Sequence, residues 1–315
     1  MQALHIYTEG GINQGLGHLT RCLAYASAWR DLGGNVFWWI DGDEQACSSL
    51  LLYETVSWDK WQTFSKLPQR DAFALVDSYS ASYLVLDMIA KGHEKIIFLD
   101  DTFRIKYPKG YVVHATENGN VPNEIKGDSS WHIGREWQAL RPAFWRDFPA
   151  KIILPDIKNI FIMLGGTDHL NLTEMVSSEV SKQYPLSILH VISNKVFSLE
   201  NANFYNGLTD HEICNLMMIS DFSITSASQC IFELAKVGTP GIVLATAQNQ
   251  DQQLRVWTES NAFLSAGFWY KGEESERLKQ CIARISDFNK RKHMSTISKA
   301  AMSGVTKPKA LGFFC

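Results

Sequence analysis

Short apolar runs and amphipathic stretches alternate along this chain in two successive series, and that alternation leaves few folds open. Residues 4–7, 35–40, 72–76, 95–99 and 111–114 read as strands in the first half, with helical spacing at 19–32, 44–53 and 82–91 between them. A segment rich in Asn, Gly, Pro and Asp at 116–131 reads as a long loop, and Phe148-Pro149 to Pro155 marks a joint. Beyond it, strands at 159–164, 187–192, 222–225 and 241–245 alternate with helices at 170–183, 210–219 and 229–237. Strands that are apolar on both faces, with helices between them, build parallel sheets covered on both sides. Two α/β domains are therefore expected, residues 1–150 and 151–315, each doubly wound. In such sheets ligands sit beyond the carboxyl ends of the strands, so chemistry is expected in the loops there.

The first of those loops ends in Gly15-Leu16-Gly17-His18-Leu19-Thr20-Arg21. It places His18 at the start of a helix whose apolar positions are Leu19, Cys22, Leu23, Ala26 and Trp29. The unpaired N–H groups and positive dipole end of a helix N-terminus disfavour imidazolium, so the His18 pKa is expected below the usual ~6.5. A neutral imidazole can take a proton from water or a hydroxyl. The same N–H groups can instead bind an anion, and a structural cap is the third reading. In the second half, Gly165-Gly166-Thr167 would let backbone N–H groups approach a diphosphate with no Cβ in the way, and Ser226-Ala227-Ser228 repeats that chemistry before another helix. Glu233, one turn into that helix, either accepts both hydroxyls of a ribose or stands as an exposed helical glutamate.

Composition removes several classes. The 315 residues carry a formal net charge of −3, which gives no electrostatic reason to expect nucleic acid. The longest apolar runs fall far short of the ~20 residues that cross a bilayer, and the start of the sequence has no basic, apolar leader pattern. Integral membrane contact is not expected, and a cytoplasmic location is. Cys22, Cys47, Cys214, Cys230, Cys281 and Cys315 lack zinc-site spacing and read as reduced, buried residues. Asp41-Gly42-Asp43 reads as a turn and helix cap rather than a cation site, and His211-Glu212 as an ordinary first helical turn. No metal or cofactor is expected.

Several separated motifs together carry a family resemblance. Gly15 to His18 with Arg21, Asp77-Ser78-Tyr79, Gly134, Leu140-Arg141 with Phe144, Leu164 to Asp168 with Asn171-Leu172, and Ile224 to Ser228 followed by Glu233-Leu234-Ala235 and Asn249-Gln250 lie at matching places. In these residues the chain resembles the UDP-sugar hydrolases of pseudaminic acid biosynthesis, which release UDP from UDP-2,4-diacetamido-2,4,6-trideoxy-β-L-altropyranose. Those enzymes lie within a wider GT-B group of glycosyltransferase-like proteins. The resemblance runs from about residue 4 to about residue 270. Three departures stand out: Tyr7 to Gly11 replaces an Arg-x-Asp-x-Ser type loop, Ser78 replaces a histidine, and Trp137 replaces a tyrosine.

The resemblance implies a GT-B-like fold of two Rossmann-like domains facing a central cleft. The first domain would handle the sugar and the chemistry; the second would bind UDP. The final segment, residues 273–315, lies beyond the resemblance, and its amphipathic spacing is expected to form a helical segment packing back across the domains. The resemblance makes His18 the catalytic base. Glu9, Gly17, Asp77, Tyr79, Asn249 and Gln250 are implied around the sugar, and Gly165, Gly166, Thr167, Leu208, Ser226, Ala227, Ser228 and Glu233 around UDP. Water would attack the anomeric carbon with inversion as UDP departs. The alternatives are a GT-B transferase using a UDP-sugar donor and a non-catalytic nucleotide-sugar binding protein.

Overall fold

The computed structural model describes residues 2–11, 15–43, 56–57, 60–63, 72–116, 120–165, 168, 170–272 and 274–314. The chain forms two compact units, one of residues 1–142 with 306–315 and the other of residues 143–305. The first contains β1 (Leu4–Gly10), α1 (Gly17–Asp31), β2 (Val36–Gly42), β3 (Val56–Ser57), β4 (Phe73–Asp77), α2 (Tyr83–Gly92), β5 (Lys95–Leu99), β6 (Tyr111–His114), α3 (Asn123–Lys126) and β7 (Ser130–Ile133). Its seven strands are all parallel and lie in the order β3-β2-β1-β4-β5-β6-β7. The order reverses between β1 and β4, and a crevice opens at such a reversal, outside the strands' carboxyl ends.

The second unit repeats the plan. It contains β8 (Asn159–Met163), α4 (Thr173–Gln183), β9 (Ile188–Ile192), β10 (Ala202–Tyr205), α5 (Asp210–Ile219), β11 (Phe222–Ser226), α6 (Gln229–Val237), β12 (Gly241–Ala245), α7 (Asp251–Glu259), β13 (Leu264–Phe268), α8 (Ser275–Arg284) and α9 (Phe288–Ala301). Its six parallel strands run β10-β9-β8-β11-β12-β13, so the reversal falls between β8 and β11. Central strands such as β4 (FALVD), β11 (FSITS) and β12 (GIVLA) are buried at every position, as strands covered on both faces must be. Ile160, Ile162, Leu189, Val191, Ile224 and Ile242 form the centre of the second core, under Val176 and Val180 of α4 and Leu278 and Ile282 of α8. The first core packs Tyr7, Ala74, Val76, Ile96 and Phe98 against Leu86 and Ile89 of α2.

Local signals account for several boundaries. Thr209 and Glu212 close a capping box at the start of α5, so His211-Glu212 is indeed a first helical turn. Gly238, at φ 82°, ends α6 in the left-handed conformation that glycine adopts without strain. Asp41 and Gly42 close β2, so that pair belongs to a strand end; the helix expected at 44–53 lies outside the described residues, as do Cys47 and Cys315. Cys22, Cys214, Cys230 and Cys281 are buried and not joined in disulfides.

The sequence reading is corrected in three places. The long loop at 116–131 contains the short helix α3 and the start of the edge strand β7. Residues 306–315 group with the first unit rather than the second, and the unit boundary falls at 142/143. Helix α9 packs on α6 within the second unit, and the chain then returns to the first. There Phe314 stacks on Phe73 at 4.6 Å, Phe313 stacks on Tyr111 at 4.3 Å, and the Lys95 ammonium donates to the Phe313 carbonyl at 2.9 Å.

Candidate active site

The reversal between β1 and β4 gathers the polar residues of the first unit. Beyond β1, Gly11 and Gly15 exchange backbone hydrogen bonds of 3.0 and 2.8 Å, closing the loop before α1 begins. A Cβ on Gly10 would come within 2.7 Å of the Leu19 side chain, so a larger residue here would force that leucine to shift. His18 is the second residue of that helix and is buried, 7% exposed. Three residues on, Arg21 shares its helix face.

Asp77, the last residue of β4, holds both. Its Oδ1 accepts from His18 Nδ1 at 2.7 Å and from Arg21 Nη2 at 2.7 Å, and its Oδ2 accepts from Arg21 Nε at 2.8 Å. Arg21 Nη1 reaches Asp101 Oδ2 at 3.3 Å, and the Tyr79 hydroxyl donates to Asp101 Oδ1 at 2.5 Å. The Tyr79 ring meets the His18 ring edge to face, with centroids 4.5 Å apart. Asp77, implied at the sugar by the resemblance, has no exposed surface and holds His18 from behind.

The electrostatics reverse one expectation. Burial alone would lower the His18 pKa, but the adjacent Asp77 charge and hydrogen bond outweigh it, and the net shift is upward. The helix N-terminus does not prevail, because a carboxylate at hydrogen-bonding distance outweighs partial charges on backbone N–H groups. Burial likewise presses Asp77 upward, yet the Arg21 guanidinium, then His18, hold it far below the usual carboxylate range. Asp77 is therefore ionised, His18 donates through Nδ1, and Nε2 has no hydrogen bond to any described residue. An imidazole fixed in that way offers Nε2 as a proton acceptor.

Glu9, which the resemblance implied at the sugar, is buried and hydrogen-bonded within the chain. Its carboxylate accepts from the Tyr79 N–H at 2.6 Å and the Ser78 hydroxyl at 2.7 Å, as well as from the Ser80 hydroxyl. It thereby shapes the turn that carries Tyr79. The Ser78 hydroxyl is one of those donors. Gly17 is exposed, with open space where a Cβ would stand.

In the second unit, Gly165 follows β8 at φ 110°, while Gly166 and Thr167 lie outside the described residues. Asp168 accepts from the backbone N–H groups of Leu172 and Thr173 at 2.9 and 3.0 Å, so a carboxylate of the chain itself already serves the start of α4. Across the reversal, Ser226 ends β11 and Ser228 stands just before α6, their hydroxyls 3.0 Å apart. The Ala227 and Ser228 N–H groups donate to Leu244 and Ser226 carbonyls, which leaves hydroxyls and the positive end of α6 to meet an anion. No acidic side chain lies in the first turn of α6. Glu233 is fully buried, so the exposed-glutamate reading fails. Leu208 is half-buried before α5, Asn249 is exposed, and Gln250 caps its own loop, accepting from the Thr246 N–H at 2.8 Å. Among the described residues no group of three His, Cys, Asp or Glu is placed to hold a metal ion.

Comparison with solved structures then names the architecture. Acinetobacter baumannii MurG superposes with a TM-score of 0.62 at 10% identity, covering 100% of this chain and 99% of that one. The spinosyn rhamnosyltransferase SpnG complexed with thymidine diphosphate (TM-score 0.63, 11% identity, 100% and 99% covered) and the forosaminyltransferase SpnP (0.64, 12%, 100% and 98%) superpose similarly. The chain has a GT-B-like fold. At these identities the likeness shows the GT-B fold alone. A Helicobacter pylori protein described as "Pseudaminic acid cytidylyltransferase and UDP-2,4-diacetamido-2,4,6-trideoxy-beta-L-altropyranose hydrolase" is 24% identical over 271 residues, 85% of this chain and 49% of that protein. The chain thus spans about half the length of this curated relative, and the resemblance seen in the separated motifs extends over most of the sequence. No protein-family model matches the chain.

Asp101 and Arg21 are the site residues that the sequence reading left without a role. The His18-x-x-Arg21 spacing and the position of Asp101 just past β5 were the available signals.

Proposed function

We propose that the protein hydrolyses a UDP-linked 2,4-diacetamido-2,4,6-trideoxy sugar at the anomeric C–O bond, with inversion, releasing UDP. The observation that carries this reading is the His18–Asp77 pair at 2.7 Å, with Nε2 left to accept a proton. The relative's printed hydrolase name supports the substrate class. His18 removes a proton from water as the water oxygen bonds to the anomeric carbon and the C–O bond to the diphosphate breaks. Asp77 stabilises the imidazolium that forms, a general-base contribution of about 10²- to 10⁴-fold. UDP is a good leaving group, so the protein's remaining task is to offset charge on the β-phosphate. In this reading the Ser226 and Ser228 hydroxyls and the start of α6 do so, and Glu233 holds the ribose.

Because the His18 pKa is raised, the imidazole stays protonated to higher pH than an ordinary histidine. Activity that needs the neutral base should therefore rise with pH through a midpoint above the usual ~6.5. The deciding experiment incubates the full chain with the altropyranose nucleotide in ¹⁸O-labelled water and follows it by NMR and mass spectrometry. Label in the sugar, inverted configuration and no need for an acceptor are expected, with turnover abolished by His18→Asn while UDP still binds. Label in UDP, or full turnover by His18→Asn, overturns the reading. Dependence on an added hydroxyl acceptor would identify a transferase, the second reading that the GT-B neighbours favour.

A further inference from the structure

The hydrogen bonds around His18 close into a circuit that a proton acceptor alone does not need. From the imidazole it runs through Asp77 to Arg21, from Arg21 to Asp101, and from Asp101 to the Tyr79 hydroxyl. The Tyr79 ring then returns to the imidazole at 4.5 Å. Asp101 is the one member that grips both arms, with a separate oxygen for each. We propose that Asp101 is a positioning residue that holds His18 and Tyr79 as a single unit, acting through Arg21 and Asp77 on one side and through the Tyr79 ring on the other.

Arg21 is bidentate to Asp77, which alone would leave it free to pivot about that axis; the contact with Asp101 fixes the remaining direction. Tyr79 lies in a turn whose backbone Glu9 holds, but its hydroxyl end is fixed by Asp101. The loop that presents Asp101 is itself built rigidly: Asp100 accepts from the N–H groups of Thr102, Phe103 and Arg104 and from the Tyr107 hydroxyl, at 2.6 to 3.0 Å. Phe103 adopts φ 53°, a conformation that non-glycine residues hold only when their surroundings enforce it. A loop of that kind can set the place of Asp101 for the other members.

The circuit also sets charge. Asp77 from β4, Arg21 and Cys22 from α1, and Tyr79 and Asp101 from the two loops are the titratable groups around the imidazole. Asp101 adds negative charge and offsets Arg21, so its loss should make His18 easier to deprotonate. The inference deepens the hydrolase reading and rests on it only where turnover is measured.

The test is an NMR pH titration of His18 in the full chain without substrate. Asp101→Asn should lower the His18 midpoint, and the acid limb of kcat/KM should move with it. Asp101→Glu keeps the charge and displaces the carboxylate. Its midpoint should stay at the wild-type value while kcat falls ~10-fold or more with KM little changed. An unmoved midpoint in Asp101→Asn overturns the proposal. So does wild-type kcat in Asp101→Glu, which decides the matter if the asparagine variant does not fold. A midpoint that moves while the activity limb does not would remove His18 from the base role and leave the Asp101 circuit standing.

Discussion

At the residue scale, the site turns on Asp77, a carboxylate that never meets solvent. Asp77→Asn removes the charge that keeps His18 basic and leaves Arg21 buried against an amide. The acid limb of kcat/KM should shift to lower pH than in the wild type, and kcat should fall by about 10²- to 10⁴-fold, checked by steady-state kinetics from pH 5 to 9. The place of His18 at a helix start was legible; Arg21 carried a signal that went unread, since a spacing of three puts it on the same helix face. Asp77 could be found as a residue at a strand end, but its role could not. It lies 59 positions from His18, and only the adjacency of β1 and β4 brings the two together. The partners of Glu9 were hidden for a similar reason: its donors come from Tyr79, Ser78 and Ser80, on the neighbouring strand's turn. The expected direction of the His18 pKa failed because a local signal, the helix end, was weighed without the distant carboxylate.

At the element scale, buried central strands could be read from their apolar runs, whereas edge strands could not. β7 (SWHI) and β10 (ANFY) each have one side without a partner, carry mixed residues and show neither a continuous run nor clean alternation. Helix starts were legible where a cap is a short local motif, as at Thr209. Asp168 is less direct, since it reaches four and five residues forward to Leu172 and Thr173. Asp168→Ala should cost about 0.5–2 kcal/mol, seen as a lower denaturation midpoint. The basic run Lys290-Arg291-Lys292 is likewise more than a surface feature. Arg291 is fully buried and donates to the carbonyls of Ile285, Ser286, Leu154 and Pro155, tying α9 to the segment before β8. Phe314 is held equally firmly, against Phe73 and Trp29. Phe314→Ala should destabilise the first unit by about 3–5 kcal/mol, measured by hydrogen exchange of β4 and β6.

At the scale of the whole molecule, the same strand order appears twice, and each unit collects its polar residues where that order reverses. The alternation of runs announced this plan, since it requires only that strands be apolar and crossovers helical. If the second unit holds the nucleotide as proposed, UDP at about 100 times its Kd should add ~2.7 kcal/mol of stability. Hydrogen-exchange protection should then rise around residues 222–237 and leave β5 and β6 unchanged. The return of residues 306–314 to the first unit is the feature that no pattern of runs disclosed, because two aromatic side chains in a short 3₁₀ segment resemble any chain tail. It also sets an order in time. A ribosome completes residues 143–305, all of the second unit, before it delivers the phenylalanines that cover Phe73 and Tyr111. Of the two units, the one that carries His18 is thus begun earlier and completed later, and a nascent chain stalled at residue 305 would expose that unit, rather than the other, to chaperones and proteases.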